Sequence, residues 1–354
     1  MIANYLWVDD QQKLNKALNG MDLSMPFAID TEFERSRTYY LNPALLQMWN
    51  GQQALLIDLT KEELYSQLGE TLNSIVIHSG SEDIELMRQI FKCSPAKVFD
   101  TQIAASLCGF GSHVSYQNLV KELLEIEIPK DESRTDWLQR PLTQAQIDYA
   151  VNDVRFLPEL RQALSEQLQA KQMMPLFDRL MHKWILRTAT NGHNEKTFTK
   201  LVKSERLQLA GQQKLWALLE WRERQAERRN KPRNWILKND QLTQIVRYVK
   251  DKQDLKKIRL HPSFLKHNAE SIWRQISQAE ALAPTKLPTI VRLNSEQSQS
   301  YHHMKERLDT CCEALDIPAS VIMNTSGLKE LAFFGKDLES IDGWQELQTA
   351  HAAL

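Results

Sequence analysis

Asp30-Thr-Glu32 closes the short apolar run Pro26-Phe-Ala-Ile, which reads as a buried strand. Side chains at i and i+2 of a strand project to one face, so both carboxylates point the same way. Two like charges that close repel unless a cation sits between them, and hard oxygen donors suit Mg²⁺ or Mn²⁺. Asp83, in His78-Ser-Gly-Ser-Glu-Asp83, falls in the first turn of a helix that follows a strand and a turn. An acid there also complements the helix dipole, and Glu82 and Glu85 are close neighbours of the same type. Tyr149 and Asp153 stand at i and i+4 of a helical stretch, on one face and one turn apart. A tyrosine hydroxyl can hold a water or accept its proton, and an aspartate one turn away can hold a metal. Singly, each feature has an ordinary explanation: a strand-end acid pair, a helix-start acid, a semi-buried tyrosine beside a surface acid.

The elements that must position these residues follow from the periodicity. Leu45–Trp49 and Gln53–Leu59 are two further strand-like runs, separated by the hairpin signal Asn50-Gly51. Ser74–His78 is another strand, and after Gly80 a helix runs from Ser81 to Phe91. Val98-Phe99 leads into Asp100 and a helix over Thr101–Cys108. Strands come first as an antiparallel group and then alternate with helices, the pattern of a mixed α/β sheet. The spacing predicts one long helix over Thr143–Lys171, opened by a capping box of Thr143 and Gln146. Beyond about residue 172 the strand signal disappears, and helical spacing recurs at 208–230, 240–250, 268–282, 301–315 and 327–333. Linkers are expected at Thr190–Lys200 and Ala283–Asn294.

The chain has 354 residues, with hydrophobic residues at 42% and charged residues at 25%. That is an ordinary globular composition, long enough for two or three domains, and it excludes disordered and fibrous classes. The net charge is −1, yet its distribution is uneven. Residues 1–160 carry 13 Lys/Arg against 23 Asp/Glu, whereas residues 203–280 carry 18 against 9. An acidic domain and a basic domain have different tasks. Cys93, Cys108, Cys311 and Cys312 form no metal-ligand pattern and read as free thiols in a reducing compartment. The N-terminus lacks a basic leader and no apolar run approaches ~18 residues, so a cytoplasmic protein is expected.

In chain order the set reads strand Asp-x-Glu, strand–turn–Asp, helical Tyr-x-x-x-Asp. It resembles the DEDD superfamily of 3′–5′ exonucleases, in the subgroup with Tyr in the third motif. Phe27-Ala-Ile-Asp-Thr-Glu-Phe33 with Arg37-Thr-Tyr-Tyr40, then His78–Asp83, Phe99-Asp-Thr-Gln102, Glu132-Ser-Arg-Thr-Asp-Trp137 and Arg140-Pro-Leu142 are similar to the bacterial ribonuclease D family. This resemblance covers about the first 170 residues. It implies a ribonuclease H-like exonuclease domain, a mixed sheet flanked by helices, over 1–170. A helical linker over 171–204 and all-α domains would follow. The basic block 205–283 resembles the helicase-and-RNase-D C-terminal (HRDC) domain, and 295–354 would be a second, diverged copy.

The resemblance also implies a role for each acid. Asp30 would bridge two divalent cations, Mg²⁺ or Mn²⁺. Glu32 and Asp153 would complete the site that activates water, Asp83 would act around the second ion, and Tyr149 would orient the attacking water. The implied activity is trimming of the 3′ ends of tRNA precursors and other small structured RNAs to nucleoside 5′-monophosphates. No membrane association is expected and no obligate protein partner is evident. A DNA exonuclease on the same fold and a non-catalytic RNA-binding adaptor are the competing readings. The four acids do not separate RNA from DNA, because a 2′-hydroxyl contact is what discriminates them.

Contacts to the nucleic acid are expected from Arg228, Arg229, Lys231 and Arg233, where the basic segment after Trp221 loses its acids. Lys256, Lys257 and Arg259 form a second basic cluster. Trp137 is a candidate for stacking on a base, with a place in the core as the alternative. Arg37, Arg134 and Arg140 are candidates for phosphate contact, with internal salt bridges as the alternative. His78 reads as supporting the site or facing substrate rather than as a ligand. Asp100-Thr-Gln102 beside Asp30-Thr-Glu32 superficially suggests an aspartic protease. Both lack the glycine that such a loop needs, and Asp100 is expected to cap the following helix.

Overall fold

The computed structural model describes residues 4–19, 21–22, 25–49, 51–129, 135–188 and 193–353. Asn50 of the hairpin signal, Arg134, and the first residues of the expected linker at 190 lie outside them. The described residues divide into two compact units. One comprises Met1–Glu34, Pro43–Ala189 and Val291–Leu354; the other comprises Arg35–Asn42 and Thr190–Ile290.

The first unit is built on a six-stranded sheet of β1 (Tyr5–Val8), β2 (Phe27–Glu34), β3 (Asn42–Trp49), β4 (Ala54–Asp58), β5 (Ser74–Ile77) and β6 (Lys97–Asp100), ordered β1-β4-β3-β2-β5-β6. β3 and β4 are antiparallel, with Trp49 opposite Ala54, as the hairpin signal requires. β1 runs parallel to β4, and β5 runs parallel to both β2 and β6. Leu45, Leu46, Met48, Leu55, Leu56 and Ile57 are all fully buried, so β3 and β4 are largely apolar on both faces, as a sheet covered by helices demands. The covering helices are α1 (Gln11–Leu18), α2 (Tyr65–Thr71), α3 (Ser81–Phe91), α4 (Thr101–Cys108), α5 (Tyr116–Leu124), α6 (Gln144–Arg155), α7 (Leu157–Ala170) and α8 (Met174–Thr188).

The expected single helix over Thr143–Lys171 is two helices. Its capping box forms as anticipated, but the helix ends at Phe156 and α7 restarts with Pro158 in its first turn. Pro158 has no N–H to donate back to Val154, and its ring disfavours continuation. The expected linker at Thr190–Lys200 is also largely helical. In the second unit α9 spans His193–Glu205 and buries Phe198, Leu201 and Val202, an i, i+3, i+4 stripe. It joins α10 (Leu209–Arg229), α11 (Arg233–Ile236), α12 (Asn239–Tyr248) and α13 (Pro262–Gln278) around a core that includes Leu215, Leu218, Trp221, Ile245 and Ile272.

The remaining helices, α14 (Ser295–Ala314), α15 (Ala319–Ile322), α16 (Thr325–Phe333) and α17 (Trp344–Ala352), belong to the first unit. Arg179 of α8 pairs with Glu346 of α17 at 2.8 Å. Among the described residues no helix is long and apolar enough to cross a membrane. All four cysteines are free thiols.

Candidate active site

β2 does not stop at Asp30. It continues to Glu34, so the two acids stand within a strand flanked by β3 and β5 rather than at its end. Phe27, Ala28 and Ile29 anchor the strand in the core, and α6 packs against it. Tyr149 and Asp153 share the inner face of α6, and the Tyr149 hydroxyl hydrogen-bonds to Asp153. One carboxylate oxygen each from Asp30, Glu32 and Asp153 comes together, all within 4.8 Å of one another.

Asp83 is outside that trio but electrically part of it. It is 7% exposed, and its Oδ1 accepts a hydrogen bond from Thr31 Oγ1. Its place is set by the turn between β5 and α3. A Cβ on Gly80 would come within 2.5 Å of Ile77, so any side chain there would have to displace that buried isoleucine. The Asp100 carboxylate accepts from the Ser79 and Gly80 amides and also caps α4 through Gln102 and Ile103. Asp100 thus caps its helix as expected and in addition holds the turn that carries Asp83. Thr31 gave no signal of its own in the sequence.

Four carboxylates in so little water cannot all ionise cheaply. Burial, then Asp83, Asp153 and Glu32, push Asp30 far above the usual carboxylate range. Burial, then Asp153 and Asp83, push Glu32 up to about 9. Burial raises Asp83 to about 6 against the opposing pull of the Thr31 hydrogen bond. Burial, then the charges of Asp153, Glu32 and Asp30, hold the Tyr149 phenol neutral at any working pH. Tyr149 therefore offers a hydrogen-bonding hydroxyl, not a phenolate base. The trio is an oxygen-only set of carboxyl donors, and a bound cation would favour their ionised forms; such a set suits a hard divalent cation.

Trp137 stands behind this face rather than on it. At 4% exposure it has no open ring for a base, and its ring lies 5.9 Å from that of Tyr149. Gln146 Nε2 donates to Thr135 Oγ1 and to the Asp136 carbonyl, so the capping box of α6 also fixes the loop that presents Trp137. Stacking on RNA, expected from the sequence, gives way to packing on Tyr149. Arg140 is likewise internal: its guanidinium pairs with Asp58 at 2.6 Å, donates to the Ala44 and Trp137 carbonyls, and lies over the Trp7 ring. His78 holds Thr101 and the Val114 carbonyl through its two ring nitrogens and does not face a substrate. Arg37 is exposed.

In the second unit Arg228, Arg229 and Lys231 are exposed, with Arg228 and Arg229 both bonded to Gln225. Arg233 differs. It pairs with Glu223 at 2.5 Å and covers the Tyr39 ring, while Tyr39 and Tyr40 donate to Glu223 and Glu227. These tyrosines and Arg233 secure the segment 35–42 within the second unit. Sequence reasoning missed Trp235, which is 60% exposed with the Lys231 ammonium over its ring. A tryptophan directly after the basic run is the signal that pointed to it.

A family model described as 3′-5′ exonuclease matches residues 5–169, and an HRDC domain model matches 212–276. The chain is 30% identical to the ribonuclease D of Psychromonas ingrahamii over 312 residues, 86% of this chain and 84% of that one. It is 32% identical to the ribonuclease D of Xanthomonas oryzae pv. oryzae over 327 residues, 83% of this chain and 88% of that one. A crystal structure of Escherichia coli RNase D, titled an exoribonuclease involved in structured RNA processing, superposes with a TM-score of 0.86 at 24% identity. That match covers 99% of this chain and 98% of the other.

Proposed function

On the premise that this chain belongs to the ribonuclease D family and is a 3′–5′ exoribonuclease, we propose that Asp30, Glu32, Asp83, Tyr149 and Asp153 carry the hydrolysis with two divalent cations, Mg²⁺ or Mn²⁺. The observation that carries this reading is the convergence of Asp30, Glu32 and Asp153 oxygens within 4.8 Å beside the Tyr149 hydroxyl. Asp30, Glu32 and Asp153 would hold the cations, with Asp83 supporting them through its charge. Bound cations neutralise the phosphate and lower the pKa of a bound water.

The chain's own residues do the rest. The Tyr149 hydroxyl positions the attacking water, kept in place by its bond to Asp153 and by the Trp137 ring behind it. Asp100 and Gly80 hold the turn that keeps Asp83 beside the trio. The acidic site offers no positive charge of its own, so affinity for RNA has to come from basic surface elsewhere. Arg228, Arg229 and Lys231, with Trp235 beside them, supply it through phosphate contact and stacking. Arg233 takes part only by holding this surface in shape.

The substrates in this reading are 3′-extended tRNA precursors and similar structured RNAs, released as nucleoside 5′-monophosphates. The domain assignment proposed with it is an exonuclease domain over 1–170, a helical linker over 171–204, an HRDC domain over 205–283 and a second HRDC-like domain over 295–354, with α8 and the last of these folded into the first unit and α9 into the second. Digestion of a 3′-extended tRNA and a matched DNA strand, with Mg²⁺ and with EDTA, tests the substrate class. Preference for the DNA strand would overturn the RNA assignment.

A further inference from the structure

The four acids gather around β2, but the first unit also has a hollow that the proposed chemistry leaves unused. A cleft of about 330 Å³ opens between α4, the loop before α5, α8 and α15. Its polar lining comes from Gln102, Ser106, Ser112, His113, Lys183 and Ser320, and Trp184 lends it an indole. Residues 1–160 carry an excess of ten acids, yet no carboxylate lines this cleft. An aromatic ring, a lysine, a histidine and several hydroxyls in a space of this size match one nucleotide, with a base to stack and a phosphate to hold.

Its wall is tied to the catalytic scaffold. Ser112 and His113 precede Val114, whose carbonyl accepts from Gln102 Nε2 at 3.1 Å and lies 3.1 Å from His78 Nε2. His78 begins the turn that leads to Asp83. Two residues beyond Val114, the Tyr116 hydroxyl donates to the carbonyl of Asn152, the neighbour of Asp153. The loop that forms one side of the cleft is thus bonded to the supports of two of the four acids. The opposite side, Ser320, Val321 and Ile322, comes from the C-terminal helices, which otherwise have no task in the reaction.

We propose that this cleft between α4, α8 and α15 is a nucleotide-binding subsite, and that the C-terminal helices complete it. The proposal rests on the exoribonuclease reading for its ligand. The nucleotide comes either from the body of the substrate RNA or from released mononucleotide, and one pair of measurements separates the two.

Ser320→Phe fills the cleft from an exposed position, and His113→Ala removes an exposed side chain, so neither disturbs the core. AMP serves as the probe in calorimetric titration of the full-length protein with EDTA present, so that no cation at the acidic site can hold its phosphate. KM and kcat are measured in parallel on a 3′-extended tRNA and on a dinucleotide. If the cleft holds substrate RNA, Ser320→Phe raises KM on the tRNA about tenfold, in line with one lost stacking contact. The dinucleotide kcat stays unchanged. If it holds released product, AMP binds the wild type and not the variant, while KM on the tRNA is unaltered. Absence of AMP binding together with a tRNA KM within twofold of wild type in both variants would overturn the subsite. Equal loss of dinucleotide kcat would overturn it too, because the substitution would then be acting on the catalytic site itself. Because dinucleotide cleavage is read separately, failure of the subsite leaves the exonuclease reading standing.

Discussion

Glu32→Gln should make the metal-free protein more stable while it destroys the enzyme. The Glu32 carboxyl is held at about 9, against an ordinary 4.5, by burial and by the charges of Asp153 and Asp83. Because its pKa is raised in the fold, the folded state binds the extra proton. The favourable balance is complete below pH 4.5 and is lost as pH climbs towards 9. In that window each pH unit removes about 1.4 kcal/mol from the metal-free fold, so moving from pH 6 to pH 8 costs about 3 kcal/mol through this one group. A glutamine of the same shape carries no charge and escapes that loss. The variant escapes the whole loss between pH 4.5 and pH 8, about 5 kcal/mol, and for a unit of this size 1 kcal/mol corresponds to roughly 2–4 °C, so at pH 8 in EDTA it should melt about 10–20 °C above wild type. At pH 5 the two should nearly coincide. Saturating Mg²⁺ should reverse the order, since the cation stabilises only the protein that binds it. Hydrolysis should fall by ~10³ or more in the variant. The assay is a thermal melt from pH 5 to 8 with EDTA or Mg²⁺. A wild-type melting temperature independent of pH in EDTA, or a variant less stable than wild type at pH 8, would refute the reasoning.

Tyr149→Phe keeps the ring against Trp137 and removes the hydroxyl, so kcat should drop roughly 10²-fold with RNA affinity little changed; an unaltered kcat would leave Tyr149 a packing residue. Neutralising Arg228, Arg229 and Lys231 should lower the salt slope of RNA binding by about 0.7 per lost phosphate contact on a single strand, read by titration at several salt concentrations. Arg233→Ala should instead unsettle the second unit, by breaking the Glu223 pair and the cover over Tyr39, and a fall in melting temperature would register it. A fragment ending between Lys171 and Leu186 should aggregate or melt early, because it removes part or all of α8 and all of the C-terminal helices of the first unit. Phe177, buried against Phe99 at a ring distance of 4.7 Å, belongs to that helix. A soluble fragment with full activity on short RNA would contradict this.

The elements around the site were legible because their signals are local. Gly80 followed by a 3.6-residue period marked α3, and Asp100 marked the start of α4. Asn50-Gly51 marked the hairpin of β3 and β4, and the Thr143–Gln146 box marked α6. The residues misjudged are those whose role depends on partners far along the chain. Nothing near Arg140 announces Asp58, 82 residues away, and nothing near Trp137 announces that Tyr149 covers it. Arg233 looks like the other basic residues in its run, and only folding shows that Glu223 has claimed it. Thr31 is only the middle position of Asp-x-Glu in the sequence, yet its hydroxyl donates to Asp83. Helix boundaries failed where one residue type outweighed the pattern. Pro158 divided the expected long helix, and the polar run at 190–200 hid the Phe198, Leu201 and Val202 stripe of α9.

The central claim is that Asp30, Glu32, Asp83 and Asp153, with Tyr149, form a divalent-cation site that hydrolyses RNA from its 3′ end. Wild type and Asp153→Asn incubated with a 3′-end-labelled tRNA precursor, in Mg²⁺ or in EDTA, test it most directly through the identity of the product. Wild type should release labelled nucleoside 5′-monophosphate in Mg²⁺ alone, and the variant should lose ~10³ or more in rate. Release of mononucleotide in EDTA, products bearing a 3′-phosphate, or an Asp153→Asn rate within a few-fold of wild type would contradict it.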